Sequence, residues 1–376
     1  MRLTLVANIP ALLRSGDNFA YFAAFDDQTA LKGKEYLFSG GSVVRYDGSP
    51  HFLCSEAKKF STWLPALITF DYVGEIFPDV PIIRSEWPSA LVLEPEMMDE
   101  GMITRSDGYD PVVPDLESGN CEMKEEIERA RDRIINGELL QVVLSREFPA
   151  APRDPVKALD TYLYSDRSLY VFFFKFGKYE VYGSSPEKLV QFREGRVIMN
   201  PIAGTRRRGR TVDEDVQLEK ELLLDRKELC EHRMLVDLTR NDLARVCDPE
   251  SVVVTVDRSV RKYRSVQHIV SEVTGVLRKD LCADDVLRSV FPAGTVSGAP
   301  KKRALQIISE YERTARGPYS GGLGVIGKDS MDLALTIRSR YGIDGRVITR
   351  AGAGVVKDSV PENESMEMLH KAATVM

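Results

Sequence analysis

The sequence predicts an α+β fold. Strand-like runs follow one another over residues 140–199, 252–276 and 320–356, and the helical stretches stand apart near 123–134, 217–236 and from 359 to the end. A strict strand–helix alternation would instead indicate a parallel sheet. The chain's 376 residues, 43% hydrophobic and 29% charged, suffice for one large globular unit or two small ones, with no internal repeat or low-complexity segment.

Residues 1–93 read as short strands and turns. The stretch Glu94–Asn120 is polar and acidic and carries Pro95, Gly101, Pro111, Pro114 and Gly119, the composition of an exposed connection. It divides an N-terminal segment, 1–118, from the remainder, 119–376. Met123, Ile127, Ala130 and Ile134 recur at helical spacing, and Asn136-Gly137 supplies a stop. Leu140–Leu144 then reads as a strand with Gln141, Val143 and Ser145 on one face. Leu169–Phe176 and Tyr179–Gly183 are further strands, and Arg193-Glu194-Gly195-Arg196 marks a hairpin. One helix is expected over 217–236, then strands at 252–256, 268–276, 320–327, 332–340 and 346–356. Ser359, Pro361 and Glu362 open the last helix as a capping box with a first-turn proline.

The net charge of −6 argues against a nucleic-acid scaffold, which carries a basic excess. Cys54, Cys121, Cys230, Cys247 and Cys282 are odd in number and form no C-x-x-C pair. That fits reduced thiols better than disulfides or zinc. The start, Met1 to Val6, is too weakly apolar and basic for a secretory signal, and no run nears the ~18 apolar residues of a membrane span. The expected location is the cytoplasm, with no membrane and no nucleic-acid partner.

Glu228-Leu229-Cys230-Glu231 and Glu364-Ser365-Met366-Glu367 each put two carboxylates three residues apart, with Lys371 on the same stripe as the second pair. On a helix such pairs share a face. A solvated face is the ordinary reading of either alone, but Leu224 and Leu235 place apolar residues beside Glu228 and Glu231. Like charges ~5 Å apart repel by about 3 kcal/mol at an effective dielectric near 20, so bringing the pairs together calls for a cation. All-oxygen ligands suit Mg²⁺. Glu367 and His370 also form an E-x-x-H, but a di-iron bundle needs a second one and a four-helix frame.

Phe291–Lys302 holds Gly294 and Gly298 but lacks the spacing of a phosphate loop. It reads as a turn into a helix near Lys301, where the Thr295 and Ser297 hydroxyls could face a small anion or serve only as caps. The alternating glycines of Ala351-Gly352-Ala353-Gly354 allow either a bulge or close approach of a ligand. Arg206-Arg207-Arg208 reads as a solvated loop, and His268 lies in a strand where it could face a cleft or the core.

Together these segments resemble the chorismate-utilising enzymes, most closely the anthranilate synthase large subunits. The matching motifs are Gly137–Arg146, Pro201–Thr205, Glu228–Arg245, Tyr263–Ser271, Phe291–Lys301, Arg316–Gly322, Leu335–Ser339 and Ala351–Lys371, in the family's order. The resemblance implies a large layered sandwich of helices around two mainly antiparallel sheets, with a cleft site, and one intertwined unit. It implies Glu231 and Glu367 as Mg²⁺ ligands, with Glu228 and Glu364 as their acid/base neighbours. Tyr319, Arg338, Lys371 and the backbone at Gly352, Ala353 and Gly354 would hold the enolpyruvyl carboxylate. Gly204 and Thr205 would line the ring, with Thr295 beside the reacting centre and His268 at pyruvate elimination. Glu228, among carboxylates, is expected to hold a proton as general acid.

Within the family, Gln141 stands where water-using relatives carry a Lys, and Ala203 where C4-aminating relatives carry one. The implied reaction is therefore amination of chorismate at C2 by ammonia, then loss of pyruvate to give anthranilate for tryptophan synthesis. A glutaminase subunit, in a heterodimer or heterotetramer, is the implied ammonia source. The family's tryptophan-sensing segments diverge at Ala23–Asp26 and Asp166–Val171, which leaves tryptophan feedback open.

Overall fold

Tyr170-Val171-Phe172-Phe173-Phe174-Lys175-Phe176 is apolar at nearly every position, as suits a strand covered on both faces. In the structure, a computed structural model describing residues 5–26, 29–48, 63–105, 123–150, 153–165, 168–263 and 266–375, it sits inside a nine-stranded sheet. The strand order is Gly298–Ala299, Gln141–Pro149, Arg346–Val355, Ser339–Ile343, Tyr179–Ser185, Tyr170–Phe176, Phe19–Phe25, Lys32–Ser39 and Met97–Thr104. The second sheet, of ten strands, runs Ile202–Arg207, Val266–Val276, Arg196–Met199, Lys188–Arg193, Ser330–Leu335, Gly322–Gly327, Leu64–Ile68, Ala90–Glu94 and Ser42–Tyr46. Val253–Lys262 pairs with Val266–Val276 beside that path. Every pairing between these strands is antiparallel.

Early and late segments share both sheets. Phe19–Ala24 pairs with Tyr170–Lys175, and Leu64–Ile68 pairs with Gly322–Ile326. The expected boundary at 118/119 lies outside the described residues. The two divergent segments are neighbours, Ala23 opposite Val171 and Ala24 opposite Tyr170; Asp166 and Arg167 lie outside the described residues. Cys230, Cys247 and Cys282 are free thiols; Cys54 and Cys121 lie outside the described residues. No helix among the described residues is long and apolar enough to cross a membrane.

The expected helix over 217–236 is two helices, Val212–Leu224 and Arg226–Ala244. Asp225 breaks them with an extended backbone, and its carboxylate accepts from the Lys227 and Glu228 amides. Leu224 consequently ends the first helix fully in solvent, at 78% exposure, whereas Leu235 is buried at 4%. Asp225 also binds Arg206 at 2.5 Å. Asp225→Ala removes a cap and an ion-pair partner, and we expect it to lower stability by about 1–2 kcal/mol in urea unfolding at neutral pH. An unchanged midpoint would mean that the cap contributes nothing.

Four further expectations are revised. The start of the expected connection Glu94–Asn120 is instead the strand Met97–Thr104, paired with Lys32–Ser39. The run 332–340 splits into Ser330–Leu335 in one sheet and Ser339–Ile343 in the other. Arg338 makes the crossing with a positive φ of 51°. The last helix starts at Pro361 with Val360 as an uncapped N-cap. Ser359 Oγ instead accepts from the Val356 amide, and Glu362 pairs with Lys124. The arginine run is no solvated loop: Arg207 binds Glu214, and buried Arg208 binds Asp215 at 2.8 Å.

Candidate active site

One edge of each sheet meets the other across a cleft of about 170 Å³. The strands Gln141–Pro149 and Arg346–Val355 form one wall, and Ile202–Arg207 with Val266–Val276 the other. The 226–244 helix packs on the second wall and the 361–373 helix on the first. The two E-x-x-E stripes therefore approach one another from opposite sides.

On the second wall a bulge falls between Ala203 and Thr205. Gly204 takes φ 75° there, a conformation glycine adopts without penalty. The bulge puts Thr205 opposite His268, with Thr205 Oγ1 3.0 Å and the Gly204 carbonyl 3.1 Å from His268 Nδ1. A carbonyl can only accept, so Nδ1 carries the proton and Nε2 is left as a base. Burial first, then Arg338 and Lys371, push the imidazole down to about 4, so it is neutral near pH 7.

Glu231 faces the cleft and accepts from Gln141 Nε2 at 3.0 Å. Burial first, then Glu228 and Glu367, push its carboxyl up to about 7. Glu228 is held by Arg206 at 3.0 Å. Glu367 binds Lys371 at 2.5 Å. Burial would lift Glu367, but Lys371, Arg338 and His268 outweigh it and hold it below the usual carboxylate range. Glu364 is nearly buried and raised, by burial first and then by Glu367.

Among the described residues no three His, Cys, Asp or Glu side chains are placed to enclose a metal ion. The donors that do face the cleft still fit magnesium. Glu231 and Glu367 offer only oxygen, and a cation would offset both the burial and the repulsion from Glu228 and Glu367 that raise the affinity of Glu231 for a proton. Mg²⁺ takes one or two protein carboxylates and completes its shell with water and substrate oxygens.

The first wall is built for close approach. A Cβ at Gly352 would stand 2.7 Å from Tyr319 Oη, and one at Gly354 would stand 2.7 Å from Gln141 Nε2. Lys371 Nζ donates to the Gly352 carbonyl at 3.0 Å, and Arg338 donates to Thr374 Oγ1 at 2.7 Å. Beneath Tyr319, Glu312 binds both Arg316 at 2.6 Å and Arg350 at 2.9 Å, all three nearly sealed from solvent. Ser145 joins this network through Glu312 and Arg350. Two cations on one carboxylate hold it ionised despite burial.

Glu187 follows Pro186 just past the strand Tyr179–Ser185. It is almost fully buried, lines the cleft, and accepts from Thr295 Oγ1 at 2.6 Å. Burial pushes its carboxyl up to about 7 against the pull of Thr295 and Lys371.

The sequence profile described as chorismate binding enzyme matches residues 110–376. This chain belongs to that family. Among curated relatives, anthranilate synthase component 1 of Aquifex aeolicus is 46% identical over 68% of this chain and 52% of its own length. That of Aeropyrum pernix is 40% identical over 78% of this chain and 72% of its own. The chain spans about half the length of curated relatives such as the Aquifex protein. Among solved structures, anthranilate synthase component I from Streptococcus pneumoniae superposes with TM-score 0.75 at 30% identity, covering 96% of this chain and 92% of that one.

In this member of the chorismate binding enzyme family, most residues singled out from sequence line one cleft. Gly204, Thr205 and His268 come from the second wall, Gly352 and Gly354 from the first, and Glu231, Thr295, Tyr319, Arg338, Glu367 and Lys371 complete it. Glu228 and Glu364 stand behind their partners, and Ala353 turns its side chain into the core. Ser297 donates to the Ala293 carbonyl, a cap and not a ligand contact. Glu187 and the Glu312–Arg316–Arg350 network were not anticipated. Glu187 meets Thr295 across 108 positions and Arg350 meets Ser145 across 205, separations that no local spacing announces.

Proposed function

We propose that this chain is the chorismate-converting component of an anthranilate synthase. The observation that carries the reading is the pairing, in one cleft, of a buried carboxyl whose proton affinity lies near 7 with a neutral imidazole. Elimination of a hydroxyl from a carbon skeleton needs such an acid, and removal of a ring proton needs such a base.

Chorismate is a dianion. Lys371 and Arg338 supply the cationic side of the cleft for one carboxylate, with Tyr319 beside them. Glu231 and Glu367 would hold Mg²⁺, which when bound neutralises the other carboxylate. Glu187 gives its proton to the departing 4-hydroxyl as ammonia adds at C2. Thr295 Oγ1–H then steadies the new carboxylate. His268 Nε2 takes the C2 proton, the enolpyruvyl group leaves as pyruvate, and the ring becomes aromatic. Gln141 lacks the basicity to activate water, and Ala203 offers no amine for a covalent adduct, which favours ammonia at C2 over the sibling reactions. A separate glutaminase in the cytoplasm would supply the ammonia.

The test is to mix the purified chain with chorismate, Mg²⁺ and ammonium and identify the product by mass and fluorescence. Anthranilate plus pyruvate is expected. Aminodeoxychorismate would reassign the chain to its C4-aminating siblings, and no turnover at saturating ammonium would leave a binding protein. His268→Met is expected to slow pyruvate release by roughly 10²-fold while amination continues. The aminated intermediate should then accumulate on chromatography, and its absence would remove His268 from the elimination step.

A further inference from the structure

Glu187 and Thr295 also wall a second, smaller cavity, of about 20 Å³. One water needs roughly 10–15 Å³ and two to four polar partners, so the space suits a single molecule. Its other polar walls are Lys188, Asn200, Thr239 and Asp242. Asn200 is 3% exposed, and among the described residues its Oδ1 has no hydrogen-bond partner. The other groups are engaged: Lys188 donates to Gln191 Oε1 at 3.5 Å, Thr239 donates to the Leu235 carbonyl, Asp242 binds Lys301 at 2.9 Å, and Glu187 accepts from Thr295. Asn200 Oδ1 is thus the acceptor left over among these walls, and a buried acceptor left unpaired costs about 1–3 kcal/mol.

We propose that this cavity holds one ordered water that donates to Asn200 Oδ1 and to the Glu187 carboxyl, making Asn200 a positioning residue for the proton donor. The inference deepens the reading of Glu187 given above and rests on it. Water has two hydrogens to give and two acceptors to satisfy. Its bond to Glu187 adds to that of Thr295 and stabilises the carboxylate that forms as the proton leaves. Lys188 lines the cavity beside Glu187, Asp242 with Lys301 faces it from the 226–244 helix, and Lys371, His268 and Arg338 face Glu187 from the cleft. None of these groups changes in the variants below, so a shift reports the water.

Wild-type crystals should show one peak of water density in the cavity. Asn200→Leu fills the space and removes the acceptor. The alkaline limb of its kcat profile should move up by about 0.5–1 pH unit. Its kcat should fall roughly three- to tenfold with KM for chorismate unchanged. Asn200→Ala leaves room for a second water in place of the amide, and its limb should stay within about 0.3 unit of wild type. An empty cavity in wild-type crystals would overturn the proposal, as would a limb unmoved in Asn200→Leu or moved equally in both variants. If the wild-type chain does not convert chorismate, the reading of function falls, and the density still decides whether the water is there.

Discussion

Glu187→Gln is expected to lower kcat by about 10²–10⁴-fold, the usual contribution of a general acid, while leaving the fold intact. Glutamine keeps the shape and can still accept from Thr295 Oγ1, so the 2.6 Å contact survives and only the proton is lost. Because burial holds the wild-type carboxyl up near 7, Glu187 is protonated below that pH and ionised above it. Turnover, expressed per free ammonia, should therefore fall as pH rises through about 7, and the variant should lose that limb altogether. Glu228→Gln provides the contrast. Glu228 is already paired with Arg206 behind the cleft, so the limb should persist in that variant. Were Glu228→Gln to abolish the limb and Glu187→Gln to retain it, the two carboxyls would exchange roles and the acid would be the one expected from sequence.

The reasons that one carboxyl was legible from sequence and the other was not are physical. A helix repeats, so Glu228 with Glu231, and Glu364 with Glu367, declare their shared face through spacing alone. The hairpin at Glu194-Gly195 is equally local, since both residues take positive φ. Glu187 sits singly after a proline, and what raises its carboxyl is burial against Thr295 on a distant turn. The break at Asp225 was hidden because Leu222, Leu224 and Leu229 continue an apolar rhythm across it. One capping carboxylate outweighed that rhythm by satisfying two amides at the start of the second helix. The arginines at 206–208 read as solvated because their partners, Asp225, Glu214 and Asp215, lie on elements that only the fold places alongside.

Glu231→Gln is expected to abolish turnover and yet make the protein without added metal more stable above neutral pH. Burial, then Glu228 and Glu367, raise the Glu231 carboxyl from 4.5 to about 7. The folded state thus holds this proton more tightly than the unfolded chain does. Below the unfolded value both states are protonated and the site costs nothing. Between there and about 7 the unfolded chain has released this proton while the native state still holds it, so stability is lost as pH rises, and the loss is complete above 7. A shift of this size corresponds to about 3 kcal/mol at most, and partial access of water to the cleft reduces it to about 1–3 kcal/mol. Glutamine never ionises. The variant should therefore melt higher than wild type at pH 8, with the gap closing by pH 5. Mg²⁺ with chorismate should raise the wild-type melting temperature and leave that of the variant where it was, because one of the two carboxylates that would hold the cation is gone. A variant that gains no stability at pH 8 would show that burial and the neighbouring carboxylates do not raise the Glu231 carboxyl. One that still responds fully to Mg²⁺ would show that Glu231 is not where the cation binds.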